Sequence, residues 1–345
     1  MDDPYYHQLF LQPNIKYNFY DGVLLGLKIH NRPILARNFR FSVTPMFGTK
    51  NSTLNGTFGT SYLQFFENSK IDRIIYSLSG SNLHYAEDLS YNTFNQAVTI
   101  LFQRKSLRDV ERSFFQARLI NINRELLPGT SRTDSDKYSI LKLRYFYNNP
   151  DIIKEFQYSL GAEIGSSFTK TIGEIRYRKL TDTNRQLDFR AFAGVFLRNE
   201  TETDFFSFGV DRANDYLFEL NYLGRSETTG LLSQQFFLAE GGFRSQLSES
   251  FANQFLVSFN TSVGLWRWVE FYNNVAFIKN RNQSLFFGYE NGIRLNFIDS
   301  IFELHFPLYN NNGWLLDQRG YSNNIRFVIQ ANPRAIFNFF RRGFL

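Results

Sequence analysis

The strongest constraint on the fold of this chain is a two-residue periodicity of its hydrophobic side chains. In the stretch QLDFRAFAGVFLR, residues 186–198, one alternate set is apolar throughout and runs from Leu187 to Leu197. The other set starts with Gln186 and Asp188 and mixes charged, small and aromatic residues. Successive side chains of a β-strand point to opposite faces of the sheet. The stretch therefore predicts a β-strand with one apolar face and one face that mixes charged, small and aromatic side chains.

The same alternation recurs along almost the whole chain, in about sixteen segments of mostly about 9 to 14 residues. Strands of soluble proteins commonly have about five or six residues, whereas a tilted strand that crosses a bilayer needs about 9–11. Several apolar series end in Tyr, Phe or Trp, which suits the bilayer interface. Strand length and terminal rings together favour a transmembrane β-barrel over a soluble β-sandwich.

The predicted fold class is all-β, a closed antiparallel transmembrane β-barrel of about 16 strands, with 12–14 strands as the alternative. Closure would also remove the free sheet edges that long apolar strands cannot leave in lipid. Composition agrees, because Phe (40) and Tyr (19) are abundant and Pro (8) is scarce. The predicted organisation is a lead-in segment at 1–20, the barrel at 21–331 with a long irregular loop at 200–235, and an aromatic and basic tail at 332–345.

The polar set of each strand is predicted to face the lumen and the apolar set to face lipid. A charge on the lipid side would cost about 2–4 kcal/mol at the bilayer midplane. Charges of both signs inside a narrow barrel are expected to pair with one another rather than to form an active site. The predicted lumen-lining residues are Lys142, Arg144, Glu163, Glu174, Arg176, Arg178, Asp188, Arg190, Arg198, Glu290 and Arg294.

One segment, residues 206–244, departs from the alternation and packs polar residues among aromatics and glycines. Two interpretations stay open: a long loop with one irregular strand, or a functional loop that folds into the lumen as a plug or docks a partner domain. The residues predicted to take part in plugging or docking are Asp211, Arg212, Asn214, Asp215, Arg225 and Glu227.

No catalytic, metal-binding or cofactor-binding set stands out in the sequence. The four histidines lie in no motif with metal-ligand spacing, Cys is absent, and no G-x-S-x-G nucleophile motif occurs. The net charge of +6 is spread along the chain, so nucleic-acid binding is not expected. No 18-residue apolar run predicts a transmembrane helix, and the N-terminus lacks a signal-peptide pattern, which predicts a mature chain or a piece of a longer one.

Four stretches carry a resemblance to a known family. They are KYNFYDGVLLGLKIHNRPILARNFRFSVTPMFGTKNSTLNG (16–56), LSGSNLHYAEDLSYNTFNQ (78–96), FGVDRANDYLFELNYLGRSETTGLLSQQF (208–236) and NFFRRGFL (338–345). The chain resembles the C-terminal β-barrel region of M1-like (gluzincin) zinc aminopeptidases of Bacteroidota outer membranes. The opening YDGVLLGL also resembles, more loosely, barrels of the Omp85 superfamily.

The first resemblance implies a bacterial outer-membrane barrel that anchors or accompanies a zinc-peptidase domain, with outer-membrane lipid and a peptidase domain or other subunit as partners. The chain has no H-E-x-x-H helix, so no catalytic residue carries over and the barrel itself is not expected to be catalytic. A peptide-permeable lumen is a further expectation. The alternatives are a stand-alone channel or transporter, and an Omp85-like insertion or secretion barrel with a weak seam between residues 21–31 and 323–331.

Overall fold

The computed structural model describes residues 8–31, 37–106, 108–127, 135–151, 153–183, 185–220, 230–298 and 301–329. Within these ranges the chain forms nineteen β-strands and three short 3-10 helices, at Asp204–Phe206, Leu231–Gln234 and Tyr321–Asn324. None of the described helices is long and apolar enough to cross a membrane. The all-β class predicted from the alternation is confirmed.

Most strands are long, and β5 reaches 16 residues. In chain order the strands are β1 (Phe10–Asn18), β2 (Gly22–His30), β3 (Phe39–Gly48), β4 (Leu54–Phe65), β5 (Ile71–Ala86), β6 (Leu89–Phe102), β7 (Arg112–Arg124), β8 (Lys137–Pro150), β9 (Lys154–Ile164), β10 (Phe168–Leu180), β11 (Gln186–Asn199), β12 (Phe208–Gly209), β13 (Phe251–Ala252), β14 (Phe255–Trp266), β15 (Val269–Lys279), β16 (Phe286–Ile298), β17 (Phe302–Asn310), β18 (Gly313–Trp314) and β19 (Arg326–Ile329).

Seventeen of the described strands belong to one large antiparallel sheet, and β12 and β13 form a separate pair. The strand number agrees with the sequence-based expectation, while closure of the sheet into a barrel stays a prediction. The first strand, β1, lies within 1–20, the range predicted as a lead-in, and it pairs with β2 at nine positions from Phe10 to Asn18. Pro13 and the polar residues around it weaken the two-residue pattern there.

The chain groups into two compact units. Unit 1 comprises Met1–Tyr147 and Gly161–Thr169, and unit 2 comprises Asn148–Leu160 and Lys170–Leu345.

In unit 1, strands β1 to β7 pair antiparallel in chain order. Tyr62 lies directly opposite Tyr76, and both rings are exposed, by 48% and 42%. The neighbouring pair, Ser61 and Ser77, faces the other way and is half-buried. Apolar side chains are thus the more exposed set in this part of unit 1, and small polar side chains are the more buried one. A soluble sheet with one wet face has the reverse arrangement.

A buried carboxylate ties three parts of unit 1 together. Asp21, in the turn between β1 and β2, accepts hydrogen bonds from Asn51 Nδ2 (2.7 Å), Asn55 Nδ2 (3.0 Å) and Asn18 Nδ2 (2.8 Å). Its Oδ1 lies 2.6 Å from Nδ1 of His84, near the end of β5. The β1–β2 turn, the β3–β4 turn and the end of β5 are held together by this cluster.

In unit 2, β11, β14, β15, β16 and β17 pair antiparallel in chain order, and β17 also pairs with β19. Strand β14 shows the two faces clearly. Phe259 and Val263 are exposed by 37% and 42%, whereas Asn260 and Ser262 are buried. The apolar set is again the exposed one, and the polar set lies under other protein atoms.

Residues 200–254, called the insert, connect β11 to β14. The described parts of the insert, 200–220 and 230–254, cover the polar face of unit 2. The irregular segment predicted at 200–235 thus extends to residue 254, because its hydrophobic side chains pack onto the strands instead of pairing in a ladder. Its only described strands, β12 and β13, have two residues each. The shared core consists of Phe208, Val210, Phe243, Leu247 and Ala252 of the insert and Phe192, Leu256, Ala276 and Ile278 of the strands.

Candidate functional site

The centre of the candidate site is Glu290 of β16, whose fully buried side chain accepts five hydrogen bonds. The backbone N–H of Arg244 donates to both carboxylate oxygens, at 3.2 and 3.0 Å. The backbone N–H and the hydroxyl of Ser245 each donate at 2.6 Å, and Asn274 Nδ2 of β15 donates at 3.0 Å. A buried carboxylate requires such donors, because it has lost its hydration. Glu290 therefore fixes the backbone of the insert to the strands.

The side chain of Arg244 points from the insert into the same buried site. Its guanidinium carbon lies 4.4 Å from the ring centre of Tyr272 and 5.0 Å from that of Phe236. Its Nη1 donates to Asn274 Oδ1 (3.2 Å) and its Nε to His305 Nδ1 (3.3 Å). Because arginine only donates, His305 Nδ1 accepts, which places the proton of a neutral imidazole on Nε2. Burial lowers the pKa of the Arg244 guanidinium, since loss of hydration disfavours the cation.

Close backbone approach at Gly242 brings the insert onto β14. Gly242 has a φ of +78°, and a β-carbon there would lie 2.6 Å from the side chain of Asn260. Its carbonyl accepts from Arg244 Nη1 at 2.9 Å. Asn260 Nδ2 donates to the carbonyl of Gly241 at 2.9 Å, and Asn260 Oδ1 accepts from Arg190 Nη1 at 2.8 Å. The two glycines therefore connect the Arg244 site to a second buried arginine.

Arg190 of β11 holds the insert at this second point. Its Nη1 donates to the backbone carbonyl of Glu240 in the insert at 2.9 Å. Its Nε lies 3.0 Å from Glu174 Oε1 of β10, an oxygen that also pairs with Arg176. The insert is thus bound to the strands through backbone atoms by a carboxylate on β16 and a guanidinium on β11.

A third arginine, Arg294 of β16, lies among carboxylates on the same polar face. Its Nη2 is 2.8 Å from Glu270 and 3.6 Å from Asp188, and its Nη1 is 3.9 Å from Glu303. His305 Nε2 lies 3.2 Å from Glu303. These distances describe a charge network in which the acids and bases of neighbouring strands neutralise one another. Among the described residues, no group of His, Asp and Glu is placed to hold a metal ion.

A cavity of about 430 Å³ lies beside these groups within unit 2. Charged and amide side chains of the strands form one part of its wall, and apolar residues of the insert form another. The lining includes Glu155, Arg176, Arg178, Asp188, Arg190, Asn260, Asn274, Arg294, Glu303 and His305 of the strands, and Phe236, Phe237, Leu238 and Arg244 of the insert.

The beginning of the insert is held by a buried lysine. Lys170 of β10 is 0% exposed, and its Nζ donates to the carbonyl of Phe206 at 2.9 Å. The same Nζ lies over the rings of Tyr216 (4.5 Å), Phe208 (4.9 Å) and Phe196 (5.5 Å). Cations are attracted to aromatic faces at such distances, most strongly where water is excluded. Lys170 therefore anchors this part of the insert as Glu290 anchors the later part.

The predicted lumen-lining residues are mostly found in ion pairs, as expected for charges on one face; that they line a lumen stays a prediction. Arg144 lies over the ring of Phe146 at 5.0 Å, and Glu290 binds the insert. The pairs are Lys142 with Glu163, Arg176 and Arg190 with Glu174, Arg178 with Glu155, Arg198 with Glu200, and Arg294 with Asp188.

Of the six residues predicted for plugging or docking, Asp211 makes bonds within the insert. It accepts from the backbone N–H of Leu247 and the hydroxyl of Ser250, both at 2.9 Å, and burial raises its pKa. Asn214 donates to the carbonyl of Ser207, Asp215 accepts from two backbone N–H groups, and Arg212 is exposed. Arg225 and Glu227 lie outside the described residues. A role for any of the six in plugging or docking stays a prediction.

The residues of the site that were not predicted from the sequence include Arg244, Lys170 and Asn274. A signal for Lys170 exists, since it shares the alternate set of β10 with Glu174 and Arg176. For Arg244 the signal is the glycine pair at 241 and 242, because glycines among aromatic residues indicate close backbone approach. Asn274 has no distinctive signal in the sequence.

Comparison with solved structures gives a distant likeness. No known family model matches the sequence, and no curated protein matches it. CdiB from Acinetobacter baumannii has a similar structure over 86% of this chain and 55% of its own, with a TM-score of 0.36 and 14% sequence identity. Nothing in the comparisons supports the resemblance to aminopeptidase-associated barrels. A likeness this distant says nothing about the activity or partners of the present chain.

Proposed function

We propose that this chain is a β-barrel of the bacterial outer membrane that inserts or secretes polypeptide in the manner of the Omp85 superfamily. In this proposal the insert, residues 200–254, is an internal gate. The observation that carries the proposal is the attachment of the insert backbone at Arg244 and Ser245 to the buried carboxylate of Glu290.

The distribution of apolar side chains supports a lipid environment. Leu197, Leu265 and Trp266 are exposed by 67%, 46% and 64%, while the polar set of the same strands is largely buried. Large exposed apolar areas are rare on soluble monomers, but they are required of a surface that contacts lipid. In the turn between β14 and β15, the ring of Trp268 lies 6.2 Å from that of Trp266 and 5.8 Å from that of Phe297. Such rings suit the membrane–water interface.

The insert favours a gated polypeptide pathway over an open solute channel. It covers the polar face with packed side chains and leaves a cavity of about 430 Å³, which is the volume of a small-ligand site. Its two central contacts, at Glu290 and Arg190, are hydrogen bonds between charged side chains and backbone groups. Another segment of polypeptide offers the same backbone groups, so an incoming chain can form the same hydrogen bonds to Glu290 and Arg190 in place of the insert.

The predicted seam between residues 21–31 and 323–331 is not formed by the described part of β2. Strand β2 (Gly22–His30) pairs with β1 at nine positions and also with β3, so both of its edges are already paired. The described residues Arg326–Ile329 of β19 pair with β17 instead. The proposed gate is therefore the insert and not this seam.

Membrane insertion and gating are tested with the full chain in detergent and in planar bilayers. We expect the unboiled protein to migrate faster than the boiled one on a detergent gel, and the wild type to conduct little. Glu290→Gln should increase open time at least tenfold, because the carboxylate that binds Arg244 and Ser245 loses its charge. Glu200→Gln is the matched control, since Glu200 is exposed and pairs only weakly with Arg198 (3.6 Å).

A chain that stays soluble and monodisperse without detergent would contradict the membrane assignment. A large steady wild-type conductance that Glu290→Gln does not change would favour the stand-alone channel. Polypeptide handling is tested with vesicles to which an unfolded outer-membrane barrel is added from urea. Vesicles containing the wild type should take up and fold the added chain at least tenfold faster than empty vesicles.

The anchoring of a zinc-peptidase domain is the alternative that the first resemblance implies. It requires a peptidase domain outside the 345 residues of this chain. The alternative predicts that zinc-dependent aminopeptidase activity co-purifies with the chain from outer membranes and is lost with a chelator. Absence of that activity, together with accelerated barrel folding in vesicles, would reject it.

A further inference from the structure

The charged groups that line the cavity of unit 2 are unevenly matched. Arg176 of β10 and Arg190 of β11 both pair with the same oxygen, Oε1 of Glu174. The two Nη atoms of Arg176 and Nη2 of Arg190 donate no hydrogen bond to any described residue. Arg190 is only 8% exposed, so water replaces little of what its guanidinium lacks. This part of the wall therefore has N–H donors of two cations to spare.

A second part of the same wall has the reverse imbalance. There one guanidinium, that of Arg294, faces the three carboxylates of Asp188, Glu270 and Glu303. Asp188 lines the cavity, and its Oδ2 lies 3.6 Å from Arg294 Nη2. The hydrogen bonds of Asp188 are made by Oδ2, and its Oδ1 accepts none from the described residues. This part of the wall therefore has a carboxylate oxygen to spare.

The two parts lie close together beside an apolar surface. Asp188 and Arg190 are two positions apart on one face of β11, so their Cα atoms are separated by about 7 Å. The insert contributes Phe237 and Leu238 to the lining of the same cavity. The wall thus offers a place for an anion, a place for a cation and an apolar contact.

We propose that this cavity binds a free dipeptide with an apolar side chain. The dipeptide carboxylate accepts hydrogen bonds from Arg176 and Arg190, and its ammonium group donates to Asp188. Guanidinium–carboxylate bonds of this kind are short and strong, because both partners are charged. The apolar side chain of the dipeptide contacts Phe237 and Leu238.

The size of the ligand follows from the geometry of the wall. Two extended residues span about 7 Å, which matches the separation of Asp188 and Arg190 along β11. The cavity volume of about 430 Å³ is in the range of small-ligand sites. A ligand with a single charge would satisfy only one of the two positions. The site recognises the two charged ends of a peptide, which the backbone groups exchanged at the gate do not have.

Binding does not require the insert to move. The side chain of Arg176 is 47% exposed and that of Asp188 is 30% exposed, so a ligand reaches both charged positions from water. Neither side chain is among the contacts that attach the insert to the strands. Substitutions at these two positions therefore test binding separately from gating.

Isothermal titration calorimetry of the full chain in dodecyl maltoside, an uncharged detergent, measures binding of the dipeptide alanyl-phenylalanine. Two further probes are the same dipeptide with an acetylated amino group and with an amidated carboxyl group. Each modification removes one of the two charges, and we expect each to weaken binding to the wild type at least tenfold. These probes test both charge pairs without any change to the protein.

Two variants assign each end of the dipeptide to its partner. Asp188→Asn should weaken binding of the free dipeptide at least tenfold but should leave binding of the acetylated form unchanged. Arg176→Gln should have the same effect on the free dipeptide and should leave binding of the amidated form unchanged. The matched controls are Asp182→Asn and Arg198→Gln, which alter charged residues outside the cavity lining and should not change any of these affinities.

A heat-modifiable gel shift confirms that each variant is folded. Absence of dipeptide binding to the folded wild type would overturn the inference, as would equal binding of the three peptides. A folded Asp188→Asn or Arg176→Gln variant that weakens all three peptides equally would also overturn it, because that pattern indicates a changed cavity and not a lost charge pair. The titration involves neither conductance nor barrel folding in vesicles, so its outcome is independent of the proposed function.

Discussion

The polar faces of the two units differ in what they carry and in what covers them. In unit 1 the middle of β5 presents small uncharged side chains, such as Ser77 and Ser79, which are half-buried. In unit 2 the corresponding faces of β10 and β16 carry Lys170 and Glu290, and both are fully buried under the insert. The two faces follow the same alternation rule, and in unit 2 the described parts of the insert cover the face.

This difference shows that a polar face becomes a site only where another segment supplies its partners. Small hydroxyl side chains need few contacts and tolerate water. A buried carboxylate or ammonium without partners costs several kcal/mol, so each must be matched by donors or acceptors. The insert supplies backbone N–H groups to Glu290 and a carbonyl to Lys170, and the strands in return determine where the insert lies.

The largest expected effect comes from removing a buried carboxylate from each unit. Glu290→Ala leaves Arg244 and the N–H groups of the insert without their acceptor and should reduce the free energy of unfolding by about 3–5 kcal/mol. Glu163→Ala in unit 1 should cost about 1–2 kcal/mol, because its partner Lys142 is 25% exposed and can turn to water. Urea unfolding followed by the gel shift measures both. Equal losses would contradict the distinction between the two faces.

Removal of a lysine from each unit should give the next largest effect. Lys170→Met leaves the carbonyl of Phe206 without this donor and removes the cation from the ring of Tyr216, at a cost of about 2–3 kcal/mol. We also expect proteolysis within residues 200–220 to become at least tenfold faster. Lys105→Met, the control in unit 1, removes a lysine whose side chain is 85% exposed and lies 3.6 Å from Glu111, and it should change the stability by less than about 1 kcal/mol. Unchanged protease resistance of the Lys170 variant would show that the lysine does not anchor the insert.

Substitution of two glycines of the insert distinguishes the stability cost of backbone strain from the cost of a steric clash with a neighbouring strand. Gly242 and Gly230 have φ values of +78° and +72°, but a β-carbon at Gly230 would meet no atom within 4 Å. Gly230→Ala should cost about 1–3 kcal/mol from the backbone conformation alone, because a φ of +72° with a ψ of −174° is strained for any residue with a β-carbon. Gly242→Ala should cost about 1–2 kcal/mol more, since it also displaces Asn260. If urea unfolding gave the same loss for both, the close approach to β14 would not contribute to stability.

The smallest expected effect is on the pH dependence of stability. One carboxyl group in each unit contributes to it, and the two contributions change in opposite directions with pH. Glu125, after β7, accepts from the backbone N–H of Ser90 at 2.7 Å, which lowers its pKa. Its contribution is present above the ordinary glutamate pKa and is lost as the pH falls through the lowered value. Burial raises the pKa of Asp211, so its contribution increases as the pH falls from the raised value to the ordinary one.

Hydrogen exchange, measured from neutral to acidic pH, reports how local stability changes with pH near each of the two carboxyl groups. Glu125→Gln should remove the acid-induced loosening near Ser90, and Asp211→Asn should remove the acid-induced tightening near Leu247 and Ser250. Slopes of the same sign in the two regions would contradict the assigned pKa directions.

The sequence predicted the strand class and the two faces well, since both follow from a local rule. Asp188 and Arg190 were predicted on the polar face with Leu187 on the opposite one, and the burial of β11 follows that pattern. The sequence did not predict the role of Arg244 or the end of the insert at residue 254. Their positions depend on contacts with Asn274 and Glu290, which lie 30 and 46 positions further along the chain.

The sequence by itself determined that the chain forms long antiparallel strands with an apolar and a polar face, because successive side chains of any strand point to opposite sides. Only the tertiary structure decided which part of the polar face becomes a site. Residues 200–254 have no regular pattern of their own, so the conformation of the described parts, 200–220 and 230–254, is set by the strands they cover. The reason is energetic: Glu290, Arg190 and Lys170 can be buried only where a segment brings backbone partners to all three.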